Sequence, residues 1–99
     1  MRLDQAFIPQ LIAEAHAVFG ADAELWLFGS RVDDNAKGGD IDLYLEVEDD
    51  NQLLEHRLDY LFRLSKVLGE QRVDLIIHRR GKQLSPIHRI ARKTGVKLC

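Results

Sequence analysis

One cysteine stands in the 99 residues, at Cys99. It excludes an internal disulfide framework and fits a reducing, cytoplasmic setting. No apolar run approaches the roughly 18 residues that a membrane span requires. The stretch Met1–Phe19 carries acids and a polar face among its apolar positions, which is not the pattern of a secretory signal. Only two prolines occur, Pro9 and Pro86, and each sits where a helix would open rather than inside one. No internal repeat, low-complexity tract or linker divides the chain, so one domain is expected over residues 1–99.

What is present is an ordinary globular composition, 45% apolar and 30% charged. A chain this short buries only about 60–65% of the surface that its unfolded form exposes. Its core is therefore thin, and a deep self-contained substrate cavity is not expected. A thin core with long apolar helices leaves room for an oligomer or a hetero-complex.

The net charge of -2 conceals an asymmetry. Eight of the 14 Lys/Arg residues, but one of the 16 acids (Asp74), lie from Arg72 onward. Such polarity either steers an anion or acidic partner, or is the solvated face of a basic helix.

Periodicity places the elements. Leu11, Ile12, Ala15, Val18 and Phe19 recur at helical spacing, which predicts a helix from about Ile8 to Phe19, closed by Gly20. Residues 4–7 add a potential extra turn. Glu24–Phe28 reads as a short buried strand and the polar, glycine-rich Arg31–Gly39 as a loop or a short helix plus loop. Asp40–Val47 alternates: Ile41, Leu43, Leu45 and Val47 on one face, Asp40, Asp42, Tyr44 and Glu46 on the other. Asp49, Asp50 and Asn51 offer caps for a leucine-rich helix that runs to Leu68 and stops at Gly69. Val73–His78 is a third strand. Ser85-Pro86 opens a last helix that ends near Thr94, before Gly95. The expected fold is mixed α+β, a small sheet of about three strands with helices packed on one face.

The chemistry-bearing stretch is Leu27-Phe28-Gly29-Ser30-Arg31, followed by Gly38-Gly39-Asp40-Ile41-Asp42-Leu43. Asp40 and Asp42 are two apart on a strand, so they share a face, opposite the leucines. Asp74 shares its face with Ile76 and His78. If that strand neighbours Asp40–Val47, a spacing of about 4.8 Å brings Asp74 near the pair. Like charges so close repel, and a cluster of carboxylate oxygens suits hard divalent cations such as Mg²⁺. Two such ions about 3.5–4 Å apart can clamp the attacking and leaving oxygens of a phosphoryl displacement. Gly29 lets the backbone approach a ligand, and the Ser30 hydroxyl and following N–H groups suit phosphate oxygens. Arg31 and Lys37 add positive charge, and Gly38-Gly39 gives the chain freedom to deliver Asp40.

Gly29-Ser30 followed by Asp40-x-Asp42 resembles the signature of the DNA polymerase beta-type nucleotidyltransferase superfamily. The wording Phe28-Gly29-Ser30-Arg31 and Gly39-Asp40-Ile41-Asp42-Leu43 is similar to its minimal nucleotidyltransferase branch, over about Glu24 to His78. The gap between the serine and the first aspartate is nine residues here and commonly ten in that family. The resemblance implies a nucleotidyltransferase-like fold, Asp40 and Asp42 as paired Mg²⁺ ligands, and Asp74 as third carboxylate and base. It also implies that Gly29 and Ser30 hold the triphosphate of ATP or another nucleoside triphosphate. The branch is known as the antitoxin of HEPN/minimal-nucleotidyltransferase toxin–antitoxin modules, which transfers AMP to a tyrosine of a HEPN ribonuclease toxin. That implies a cytoplasmic enzyme with a protein partner.

Two other readings stand beside it. One is a non-catalytic antitoxin or nucleotide-binding module that acts by complex formation. The other is nucleic-acid modification or binding through the basic C-terminal segment. Among the remaining residues, His78 is read as a strand-end histidine facing solvent, and Tyr44 either as a platform for a base or as plain sheet surface. Trp26 and Tyr60 are read as packing, and His16, His56 and His88 receive no role. Arg72 and His78 have the spacing of the HEPN arginine–histidine pair, but that pair belongs on a helix. The stripe Leu53–Leu68 is read first as core, with a partner interface as its extension.

Overall fold

The computed structural model describes residues 5–29, 40–48, 51–69 and 71–99. A 3₁₀ turn, Gln5–Phe7, leads into helix α1 (Ile8–Phe19), with Pro9 in its first turn. Strand β1 (Glu24–Phe28) follows, then β2 (Ile41–Val47), helix α2 (Leu53–Leu68), β3 (Val73–Arg79), helix α3 (Pro86–Thr94) and a two-residue strand β4 (Val96–Lys97).

The four strands form one mixed sheet in the order β3-β2-β1-β4. β1 runs antiparallel to β2 and to β4, and β2 runs parallel to β3. A parallel pair needs a crossover long enough to return the chain to the same end. Here α2 is that crossover.

The apolar alternation decides the main core. Leu25, Leu27, Ile41, Leu43, Leu45, Val47 and Leu75 pack against Leu11 and Ala15 of α1 and Tyr60, Leu64 and Leu68 of α2. Tyr60 is fully buried, and its hydroxyl donates to the Leu11 carbonyl at 3.1 Å, joining the two helices. The α+β class is as expected, with two differences. Val96 and Lys97 extend the sheet beside Leu27 and Trp26, a strand too short to show any alternation in sequence.

Helix α3 is the second difference, because it does not join the other helices. Its Ala91 packs with Trp26, Phe28 and Tyr44 in a separate cluster, with Ile76 at the edge. These strand residues alternate with the core leucines, so they lie on the opposite face of the sheet. The helices therefore occupy both faces. The cause is that Trp26 and Phe28 give this face enough apolar area to need a cover. Gly95 permits the close fit: a Cβ there would stand 2.5 Å from the Ala91 carbonyl oxygen and 3.0 Å from the Leu27 carbonyl oxygen.

Capping also differs in detail. α2 begins after Gln52, whose side chain makes no cap bond, while Asp49 and Asp50 lie outside the described residues. α3 opens as the sequence indicates, with Ser85 and His88 forming a reciprocal capping box.

Candidate active site

The register of β2 on β3 places Asp42 beside Asp74, one position along from Ile41 beside Val73. The ladder continues one step earlier, where the Ile41 N–H donates to the Arg72 carbonyl at 2.8 Å. Asp40 therefore enters the sheet just ahead of the Asp42–Asp74 pair, with its own residue half-buried. Three acids gather at the starting ends of two parallel strands, and β1 ends alongside them, with Phe28 opposite Asp42.

Electrostatics reports the same proximity. The Asp42 carboxyl is pushed above its usual range, first by burial, then by the charges of Asp74 and Asp40, and by a hydrogen bond with Asp74. A carboxyl raised by its neighbours in this way marks a site that a cation would relieve.

Gly29 lies against this pair. Its φ is +76°, in the left-handed region that disfavours a side chain. A Cβ at Gly29 would also collide with Asp42 Oδ2 and stand 2.9 Å from its Cγ. The glycine is required twice, once by the backbone turn and once by the carboxylate lying across it. Ser30, Arg31, Lys37 and Gly39, the other residues singled out around the phosphate site, lie outside the described residues.

All three donors are carboxylates, the ligand chemistry of Mg²⁺. Among the described residues, no three His, Cys, Asp or Glu side chains form a ready metal cage. Mg²⁺ rarely asks for one: it takes one or two carboxylates and completes its shell with water and substrate phosphates. The donor set therefore fits the ion in that partial sense. Two shallow hollows of about 380 and 370 Å³ also occur, one lined by Glu14, Asp59, Phe62, Arg63, Lys66 and Val67, the other by Leu84, Arg89, Arg92 and Lys93. Neither includes an acid of the trio.

Two residues differ from their sequence reading. Tyr44 is fully buried, edge-on to Trp26 with ring centroids 5.1 Å apart. It therefore offers no free face to a base, and burial pushes its hydroxyl up to about 12. His78 is buried, not solvent-facing. Its Nδ1 lies 3.0 Å from Glu46 Oε1 and its Nε2 lies 2.8 Å from the Lys82 carbonyl. The carbonyl only accepts, so Nε2 carries a hydrogen. The Nδ1–Glu46 contact then needs one more proton, on the ring or on the carboxyl.

This buried pair was missed in sequence, although the alternation that groups Asp42 with Glu46 and Asp74 with His78 contained it. Glu46 pairs with His78 in the same register that sets Asp42 beside Asp74. The shared face thus has an acidic end at the strand starts and an end under α3 where the acid is paired. There Arg92 Nη1 also approaches Glu46, at 3.6 Å, and the His88 ring lies 5.0 Å from the His78 ring.

A nucleotidyltransferase domain family model matches residues 8–96. The chain belongs to the nucleotidyltransferase domain family, and its general chemistry is nucleotidyl transfer. No curated protein matches the chain. Among the described residues, no helix is long and apolar enough to cross a membrane.

Proposed function

We propose that the domain moves AMP from ATP to a hydroxyl acceptor, a tyrosine of a HEPN ribonuclease partner, and acts in the cytoplasm as the antitoxin of that toxin. The reading rests on the family and on one observation: Asp42 and Asp74 stand side by side at the strand starts with Gly29 against them. In this reading Asp40, Asp42 and Asp74 would hold two Mg²⁺ ions, which would supply charge neutralisation on the phosphates and activation of the acceptor oxygen. The chain's own work is positional. Gly29 brings the end of β1 against the acids, Ser30, Arg31 and Gly39 contact the triphosphate, and Asp74 takes the acceptor proton. The acceptor oxygen attacks the α-phosphorus, the bond to the β-phosphate oxygen breaks, and pyrophosphate leaves. Positioning and electrostatics contribute most of the rate in such transfers.

The test is incubation of the protein with Mg²⁺, ATP labelled at the α-phosphate and a HEPN ribonuclease encoded beside it, against an Asp40→Ala/Asp42→Ala control. Label on the partner with wild type alone supports the reading. A stable complex without label would replace it with contact-only neutralisation. Neither label nor complex would remove the toxin–antitoxin role and leave nucleotidyl transfer to another acceptor.

A further inference from the structure

Among the described residues, the three most exposed large apolar side chains lie in one row on α2: Leu54 at 65%, Leu58 at 59% and Phe62 at 60%. They recur every four residues, so they form a continuous ridge on the side of α2 away from the sheet. A ridge of this kind on so small a domain marks a contact surface. The Lys66 ammonium lies over the Phe62 ring, 4.6 Å from its centroid, and continues the row.

The charges beside the ridge identify what fits it. Glu55 and Lys66 are eleven residues apart, about three helical turns, so both lie on the same flank of the ridge. Both are exposed, and among the described residues neither has an ion-pair partner. The other charges toward α1 are already engaged: Arg63 bonds to Glu14 at 3.0 Å and to Asp59 at 3.1 Å. Leu58 and Phe62 lie symmetrically about position 60. Glu55 and Lys66 lie almost symmetrically about the same point.

A two-fold axis across the helix at position 60 therefore makes the surface self-complementary. It lays α2 antiparallel on a second α2. Leu58 of each copy meets Phe62 of the other, and Leu54 meets the Ser65–Lys66 turn. The axis keeps each flank on its own side, so Glu55 of each copy reaches Lys66 of the other, twice. A partner of different sequence would need to reproduce that order of charge and apolar residues, whereas a second copy supplies it by symmetry.

We propose that the domain self-associates as a two-fold dimer through the outer face of α2, with Leu58 and Phe62 at its centre and two reciprocal Glu55–Lys66 ion pairs at its ends. The face carries no residue of the acid site, so the dimer leaves both sites free.

Sedimentation equilibrium over about 1–300 µM tests this, a range suited to an interface near the small end of stable complexes. The expected result is a monomer–dimer equilibrium that Leu58→Glu abolishes. Circular dichroism should be unchanged, because the position is exposed. Glu55→Lys alone and Lys66→Glu alone should each weaken the dimer by about tenfold, and the double variant should restore it. A monomer at every concentration overturns the proposal. So does a dimer indifferent to Leu58→Glu, or one that the charge swap does not rescue.

Discussion

Asp42 is the residue at which function opposes stability. Its folded pKa is raised by burial and by Asp74 and Asp40, so its contribution is favourable in acid and is lost as pH rises through the folded value. Above that value, without metal, the ionised carboxylate is a cost. Asp42→Asn should therefore raise the melting temperature in metal-free buffer. Like charges in facing positions cost about 0.2–1 kcal/mol, roughly 1–8 °C for a domain of this size. The same variant should lose nucleotidyl transfer, and calorimetry beside the labelling assay separates the two effects. Gly29→Ala acts by displacement. Its methyl would take the space of the Asp42 carboxylate, and misplacing a reacting group by about 1 Å costs on the order of 100-fold in rate. A retained circular dichroism spectrum with a comparable loss of transfer is expected.

At the scale of elements, α3 is the conditional part of the fold. Its capping box uses His88 Nδ1 as acceptor for the Ser85 N–H at 3.1 Å. Protonation turns that acceptor into a donor and adds a charge beside His78. The His88 pKa is lowered, first by burial and then by His78, against a smaller opposing pull from Glu46. The unfolded state therefore binds more protons between the two values. Stability is full above the unfolded value, about 6.5, and falls as pH drops through it toward the folded value. Glu46, Arg92, Tyr44 and Lys82 also surround these rings, so the assay must isolate His88. Trp26 is the one tryptophan and lies under α3. Its fluorescence should report loosening of α3 as pH falls below about 6.5. His88→Gln keeps an acceptor at the third helical position and should flatten that response. At the helix's other end, Gly95→Ala should lift the last turn from β1 and destabilise by about 1–3 kcal/mol, measurable by urea denaturation.

The whole molecule brings together charges that the sequence keeps apart. The basic C-terminal stretch is read either as a free steering surface or as a solvated helix, yet several of its cations turn back onto acids of the sheet. Lys97 bonds to Glu24 at 2.6 Å. Arg80 bonds to Glu24 at 2.8 Å and to Glu48 at 2.9 Å, and its guanidinium also donates to the Asp22 carbonyl. These contacts hold the Glu24 carboxyl below its usual range, chiefly through the Lys97 and Arg80 hydrogen bonds. At the candidate site the shift has the opposite sign: burial and the charges of the neighbouring acids Asp74 and Asp40 raise Asp42. A divalent cation should therefore stabilise the molecule through them. Saturating Mn²⁺ or Mg²⁺ at about 100 times its dissociation constant adds about 2.7 kcal/mol. A thermal shift of the wild type that is absent in Asp40→Ala/Asp42→Ala is the expected outcome.

The elements and the identity of the acids were legible because both depend on local pattern. The strand alternation of Ile41–Val47, the Ser85-Pro86 helix start and the Gly29-Ser30, Asp40-x-Asp42 spacing are each contained in a few neighbouring residues. The buried state of Tyr44 and His78 was not legible, because alternation assigns a face and does not say whether that face is covered. Only the tertiary structure decided that α3 crosses to the second face, that β4 extends the sheet, and that Asp74 stands beside Asp42. These depend on pairing between strands far apart in the chain, 32 residues for Asp42 and Asp74, and on which apolar surface remains open once α1 and α2 have taken the first face.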